Sequence, residues 1–367
     1  MTTDILIERR GSAGLLTLSR PKALNALSLD MVRALSVALQ AWRDDPGVKV
    51  VAIRGSNKVG KPGTPEALFG GFCAGGDIRF FHVAALAGDT ALDDFFTEEY
   101  ALNHLIHNYP KPFVAFLDGV VMGGGMGLGQ GATSRIVTEH TKMAMPETNI
   151  GLFPDVGGGY FLSRCPGHVG EYLALTGSVI GADEAIAYGL ADVKVAASSL
   201  PMLWDSLGSS SFEEWTAIKS GAIRAHNITA TAPKQSEIDS FFGLLRIKHI
   251  VDSLEKARDN TWAQKTAAAL RKRSPLMLHV TLEQIRRARN MSLADDLRME
   301  RSMVHHCFHL RPVLESETVE GIRALAIDKD YSPTWNPARI EDVKPGMADA
   351  FFVSPWSADT HPLKALA

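Results

Sequence analysis

Cysteine is scarce in this 367-residue chain: Cys73, Cys165 and Cys307 stand far apart and odd in number. Such a set argues against a disulfide framework and fits a reducing compartment. An excess of charge of one sign is also missing. The formal net charge is −3, which gives no electrostatic reason to expect a nucleic acid or an anionic membrane as partner. The basic clusters at Arg271, Lys272 and Arg273 and at Arg286, Arg287 and Arg289 read as solvated helix faces. No apolar run approaches the length that crosses a bilayer. The opening MTTDILIERRG has no apolar h-region and lacks the Arg- and Ser-rich, acid-poor character of a transit peptide. The expectation is a cytoplasmic, bacterial protein. Low-complexity segments and repeats are absent as well.

What is present is strand and helix in alternation. The length suits one large α/β unit with a smaller appendage. Ile5 to Glu8 and Gly14 to Ser19 read as a hairpin joined by Arg9, Arg10 and Gly11. Ser28 caps a helix with apolar residues at Met31, Leu35, Ala38, Leu39 and Trp42. Val48 to Ile53 and Phe113 to Leu117 are continuous apolar runs of the kind found in buried parallel strands. Phe95 to Asn108 reads as a helix, and Arg135 to Thr138 as a further strand. Such alternation implies a parallel sheet with helices on its faces. From about Leu200 strands fade and amphipathic helical patterns take over, ending in a Pro-rich tail.

Three motifs fail on inspection. Gly55 to Lys61 fits GxxxxGK, but Pro62 replaces the hydroxyl a P-loop needs for Mg²⁺. Gly127 to Ala132 fits GxGxxA, but its glycines begin earlier, at Gly123, and a lone match is weak. His305 and His309 are spaced i, i+4 without the intervening glutamate of HExxH. They read as one helix turn of mixed exposure, and no metal is expected.

Two further segments, Phe72 to Asp77 (FCAGGD) and Met122 to Met126 (MGGGM), each place glycines where a helix opens. Such junctions present free N–H groups at the positive end of a helix. Two of them converging would make an oxyanion hole. Tight helix–strand packing selects glycine equally well, and spacing alone leaves the two readings even. Glu147 and Asp155 raise a sharper question. Both follow prolines, Pro146 and Pro154, in an apolar, glycine-rich run, MPETNIGLFPDVGGGYF. Acids are rarely buried without a partner. Helix capping or a buried ion pair with Arg79 or Arg164 would account for them, and so would catalysis.

Taken together, FCAGGDI, VMGGGMGLG and AMPETNIGLFPDVGGGYFL resemble the crotonase, or enoyl-CoA hydratase/isomerase, superfamily. FFTEEYALN and the C-terminal GIRALAIDKDYSPTWNPA bring the resemblance closest to the thioesterases that hydrolyse 3-hydroxyisobutyryl-CoA in valine breakdown. The likeness spans almost the whole chain. It implies an α/β crotonase spiral of ββα repeats with a C-terminal helical region: a core over residues 1–200, and helices over 201–367 that complete or cover the site. By resemblance, the N–H groups of Gly76 and Gly124 form the oxyanion hole. Glu147 is nucleophile or general base, and Asp155 orients water or the substrate hydroxyl. Glu99 lies near the acyl end, Ala74 and Asp77 line the CoA path, and Lys22 lies near the CoA phosphates. Where hydratases carry their first glutamate this chain has Gly127, and where they tend to have glycine it has Asp155; that swap is the hydrolase pattern. An acyl-CoA is the expected partner, with CoA as part of the substrate and no separate cofactor. Assembly as a trimer-type homo-oligomer or as a monomer is left open. A hydratase or isomerase, or a CoA-binding scaffold without turnover, are the alternatives.

Overall fold

The computed structural model describes residues 2–57, 69–209, 211–224 and 234–367. Most of the GxxxxGK segment and of the stretch between it and FCAGGD therefore lies outside the described residues. Packing divides the chain into two units, each assembled from three stretches. The first holds residues 1–76, 101–144 and 179–233, and the second holds 77–100, 145–178 and 234–367. This is a division by contact, whereas the expected one at residue 200 follows sequence order.

The first unit is built on a six-stranded sheet in the order β1 (Ile5–Arg10), β2 (Ala13–Leu18), β3 (Val50–Gly55), β4 (Phe113–Leu117), β6 (Ser134–Val137), β8 (Val193–Lys194). β1 pairs antiparallel with β2, and each later neighbour is parallel. β2, β3 and β4 are buried along their whole length, which is why their sequences are continuous apolar runs rather than alternating ones. β1 is the edge strand and mostly exposed. Its Arg9 and Arg10 belong to the strand, pairing opposite Gly14 and Ala13, so the hairpin turns at Gly11 and Ser12 rather than at the arginines. Charge suits an edge that must not pair with another chain.

Ser28 caps the helix Leu29–Arg43 as expected, accepting from the Met31 N–H at 3.3 Å. That helix buries Met31, Leu35, Ala38, Leu39 and Trp42. A Cβ on Gly14 would sit 2.5 Å from the Trp42 ring, so only glycine lets the indole lie on the strand. The main core cluster gathers Leu15, Ala52, Phe116, Ile136, Trp204 and Trp215. Each such large side chain contributes about 1.5–3 kcal/mol by leaving water. A smaller parallel pair, β5 (Val120–Met122) with β7 (Lys142–Ala144), carries the chain into the helix Gly124–Gln130. The GxGxxA match falls inside this helix and at its end, not at a strand-to-helix turn, which removes its physical basis as a dinucleotide loop.

In the second unit the helix Pro275–Ala288 packs against Val169–Thr176 and Gly158–Leu162. Ser274 caps it, accepting from Met277 N–H at 3.2 Å. An aromatic cluster joins Phe81, Phe95, Phe96 and Tyr100 with Phe308 of the helix Leu293–His309. Its ring centroids lie 4.8 Å apart for Phe81 and Phe95 and 5.8 Å for Phe96 and Phe308.

Candidate active site

In the first unit the glycine segments are held by backbone geometry. Leu24 and Asn25 take left-handed φ angles of 51° and 56°. The buried Asn25 amide then donates to the carbonyls of Ser56 and Gly71, each at 2.8 Å, and of Phe72 at 3.1 Å. One side chain thus fixes the entry to FCAGGD. Cys73 and Ala74 run on between β5 and Leu24–Leu27. Cys73 N–H donates to Val120 O at 2.9 Å, Ala74 N–H to Leu24 O at 3.0 Å, and Leu27 N–H to Gly75 O at 2.8 Å. Gly75 has φ of 107°. A Cβ there would lie 3.7 Å from the Gly124 nitrogen, and one on Gly125 would lie 2.4 Å from Cys73 O. Packing therefore demands glycine at Gly125. The Gly76 and Gly124 N–H groups are a different matter: among the described residues neither donates to a backbone carbonyl. Packing thus accounts for Gly125, and it does not engage the N–H groups of Gly76 and Gly124.

Lys22 is exposed in the short 3₁₀ turn Pro21–Ala23, and Ala74 is half-buried. Gly127 is buried inside its helix. Asp77, in the second unit, caps the helix Ile78–Ala87, accepting from Phe80 N–H at 3.3 Å.

The second unit brings together Glu99, Glu147 and Asp155, all at least nine-tenths buried. Glu147 begins the 3₁₀ turn Glu147–Ile150. This turn is seated on the helix Glu317–Ile322. A Cβ on Gly151 would meet Glu317 O at 2.2 Å, and Thr318 Oγ1 donates to Gly151 O at 2.7 Å. Asp155 Oδ2 accepts from the Tyr100 hydroxyl at 2.8 Å. Glu147 Oε2 and Glu99 Oε1 are buried and have no hydrogen-bond partner among the described residues. Neither expected arginine neutralises the acids. Arg164 donates to the carbonyls of Tyr160 and Met291 and stacks on the Tyr160 ring, while Arg79 is exposed. Burial pushes the Glu147 carboxyl well above the usual carboxylate range, and the Asp155 charge pushes it further. Glu99 moves the same way, through burial and then through Asp155 and Glu147. Asp155 is raised by burial to about 6, with the Tyr100 hydrogen bond holding it down.

The loop that carries Asp155 is strained and clamped. Val156 sits at φ 58°, a region that a β-branched residue rarely enters and that costs of order 1–3 kcal/mol. Glu300 holds it there, accepting from Gly157 N–H at 2.7 Å and Gly159 N–H at 2.9 Å. Asp296 accepts from Tyr160 N–H at 2.8 Å, and Gln284 bridges Pro154 O and Glu300. Tyr100, Gln284, Asp296 and Glu300 escaped the sequence reading. Tyr100 adjoins Glu99 in TEEY, which was a usable signal. Asp296 and Glu300 sit in a helix dense with charge, where nothing marks them as buried.

A model of the enoyl-CoA hydratase/isomerase family matches residues 13–352. The chain is 37% identical over 365 residues to a Gallus gallus protein named 3-hydroxyisobutyryl-CoA hydrolase, mitochondrial, covering 95% of this chain and 88% of that one. It is 36% identical over 360 residues to 3-hydroxyisobutyryl-CoA hydrolase 1 of Arabidopsis thaliana, covering 95% and 91%. Among solved structures it is similar to one described as a carnitinyl-CoA dehydratase from Mycobacterium thermoresistibile, with TM-score 0.86, 35% identity and 99% of each chain covered. A second is described as an enoyl-CoA hydratase from Rhodobacter sphaeroides, with TM-score 0.83, 36% identity, and 96% and 98% covered.

Proposed function

The chain belongs to the enoyl-CoA hydratase/isomerase family, and from that premise we propose that it hydrolyses 3-hydroxyisobutyryl-CoA to 3-hydroxyisobutyrate and coenzyme A. The observation that carries this reading is the buried pair Glu147 and Asp155, with no cationic side chain bonded to either among the described residues, together with Gly127, where a hydratase of the family would carry its other glutamate. Hydration across a double bond uses two acids placed for water and for the α-carbon. A thioester needs only attack at its carbonyl.

The reading assigns the following roles. The thioester carbonyl accepts hydrogen bonds from the Gly76 and Gly124 N–H groups, which stabilise the oxyanion as it forms. Glu147, once ionised, acts on that carbonyl in one of two ways. As nucleophile it forms a C–O bond while the C–S bond breaks, CoA thiolate leaves, and water then cleaves the acyl-enzyme anhydride. As general base it takes the proton from an attacking water, and the same C–S bond breaks. The thiolate needs no strong acid to leave. A carboxylate raised by burial is a stronger base when ionised than one in water, so the Glu147 environment suits either role. Asp155 orients the water. The unpartnered Glu99 Oε1 accepts from the 3-hydroxyl of the acyl chain. Lys22 lies toward the CoA phosphates, and Ala74 and Asp77 line the path of its pantetheine. CoA enters as part of the substrate, and no further cofactor is required.

A hydratase or dehydratase is the second reading, favoured by the descriptions of the two solved structures. Free-thiol release from 3-hydroxyisobutyryl-CoA, run beside crotonyl-CoA hydration, separates the two. The hydrolase reading expects thiol release that both Glu147→Gln and Asp155→Asn reduce by orders of magnitude. Loss of the crotonyl absorbance without thiol release would move the chain to the hydratases.

A further inference from the structure

Outside the acid group, one cluster in the second unit has the composition of a ligand set. Asp93 lies in the first turn of the helix Ala91–His107. His305 and His309 are one turn apart near the end of the helix Leu293–His309. The sequence offered the histidines alone; the fold adds the carboxylate. Asp93 Oδ1 lies 3.5 Å from His305 Nδ1, and Asp93 Oδ2 lies 3.3 Å from His309 Nε2. One donor atom from each of the three falls within 4.8 Å of the others.

We propose that Asp93, His305 and His309 bind a divalent transition-metal ion of the zinc class. Zinc holds nitrogen and carboxylate oxygen at roughly 2.0–2.2 Å in a tetrahedron, which places neighbouring donors roughly 3.3–3.6 Å apart. Each histidine lies at such a separation from one Asp93 oxygen, His305 from Oδ1 and His309 from Oδ2, and the widest of the three donor separations, within 4.8 Å, would have to close when the ion binds. Two imidazoles with one carboxylate suit zinc, nickel or cobalt and not magnesium or calcium, which take oxygen donors. His309 is about half exposed, so an ion has a way in and a fourth position open to water.

The surroundings complete the site. Arg301, almost fully buried, donates from Nη2 to Asp93 Oδ1 at 2.6 Å and from Nε to Thr97 Oγ1 at 2.9 Å. It orients the carboxylate in the way hydrogen-bonded ligands are oriented behind a metal, and it leaves Oδ2 toward His309. Its charge also weakens the site, which sets this cluster apart from a tight structural zinc. The Trp356 ring lies 4.9 Å from His305 and 4.8 Å from the Arg301 guanidinium, fixing both. The ion would clip together the helix that carries Glu99 and Tyr100 and the helix that carries Asp296 and Glu300.

The test is titration of the full chain with ZnCl₂ after chelator treatment, by calorimetry and by thermal denaturation. The expected result is one ion bound per chain and a raised Tm. His305→Ala, His309→Ala and Asp93→Asn should each weaken binding at least about tenfold. His306→Ala, whose ring nitrogen instead contacts Val353 O at 2.6 Å, should leave it unchanged. No binding in the wild type, or equal affinity in wild type and His309→Ala, would overturn the proposal. His309 is exposed enough for its variant to fold, and the Tm of the metal-free protein checks this.

Discussion

Two groups of buried carboxylates lie in the second unit, and they differ in what their oxygens touch. Asp296 and Glu300 are fully buried and raised, Asp296 to about 7, with burial as the first cause for both. Their oxygens accept three backbone N–H groups and a glutamine amide. Glu99, Glu147 and Asp155 are buried and raised as well. Yet among the described residues the only side-chain hydrogen bond to these three is that of Tyr100 to Asp155, and one oxygen each on Glu99 and Glu147 has no partner. Burial and an elevated pKa therefore do not by themselves mark a catalytic acid. An oxygen without a partner does not mark one either, since Asp296 Oδ1 has none. What separates the groups is that Asp296 and Glu300 hold three backbone amides of the Asp155 loop, and no such bond to the loop is found for Glu99 or Glu147 among the described residues.

The comparison can be broken most sharply at Glu147. Glu147→Gln should lower the rate of thiol release by about 10³ or more while Tm holds or rises, read by thiol assay and calorimetry. Glu300→Gln should do the reverse. It puts an amide N–H against the Gly157 or Gly159 N–H and should cost about 2–4 kcal/mol of stability, with a smaller loss of rate than Glu147→Gln. An inactive Glu300→Gln of wild-type stability would sink the distinction. Tyr100→Phe removes the bond that holds Asp155 down, so the Asp155 pKa should climb above about 6. The rate should fall about tenfold near pH 6.5 and recover in alkaline buffer, which a pH–rate profile shows.

The smallest effect is on stability against pH. Asp155 is raised on folding, so the folded chain binds a proton that the unfolded chain has lost. This contribution is complete below about pH 4 and is lost as the pH rises through about 6. The difference in Tm between Asp155→Asn and the wild type should therefore grow by a few degrees in favour of the variant across that window. A constant difference would mean that Asp155 is not raised.

Much of this was legible in the sequence, for reasons that differ by region. Ser28 and the apolar spacing from Met31 to Trp42 announce a helix because cap and period are local. β3 and β4 show as unbroken apolar runs because both their faces are covered. The hairpin turn was misplaced because Arg9 and Arg10 look like turn residues until their exposed edge position is known. Glu147 and Asp155 stood out because apolar neighbours isolate them. Asp296 and Glu300 did not, because ADDLRMER reads as a solvated face and its burial depends on a loop some 140 residues earlier in the chain. The partner of His305 and His309 was hidden the same way: Asp93 is 212 residues from His305.

The clamp on the Asp155 loop has a consequence for how the molecule opens. The amides of Gly157, Gly159 and Tyr160 are all bonded to carboxylates on one helix, Leu293–His309. None can exchange its hydrogen with solvent by fluctuation of the loop alone. Their deuterium uptake should occur as one event, at the free energy of releasing that helix, and Glu300→Gln should speed all three amides together.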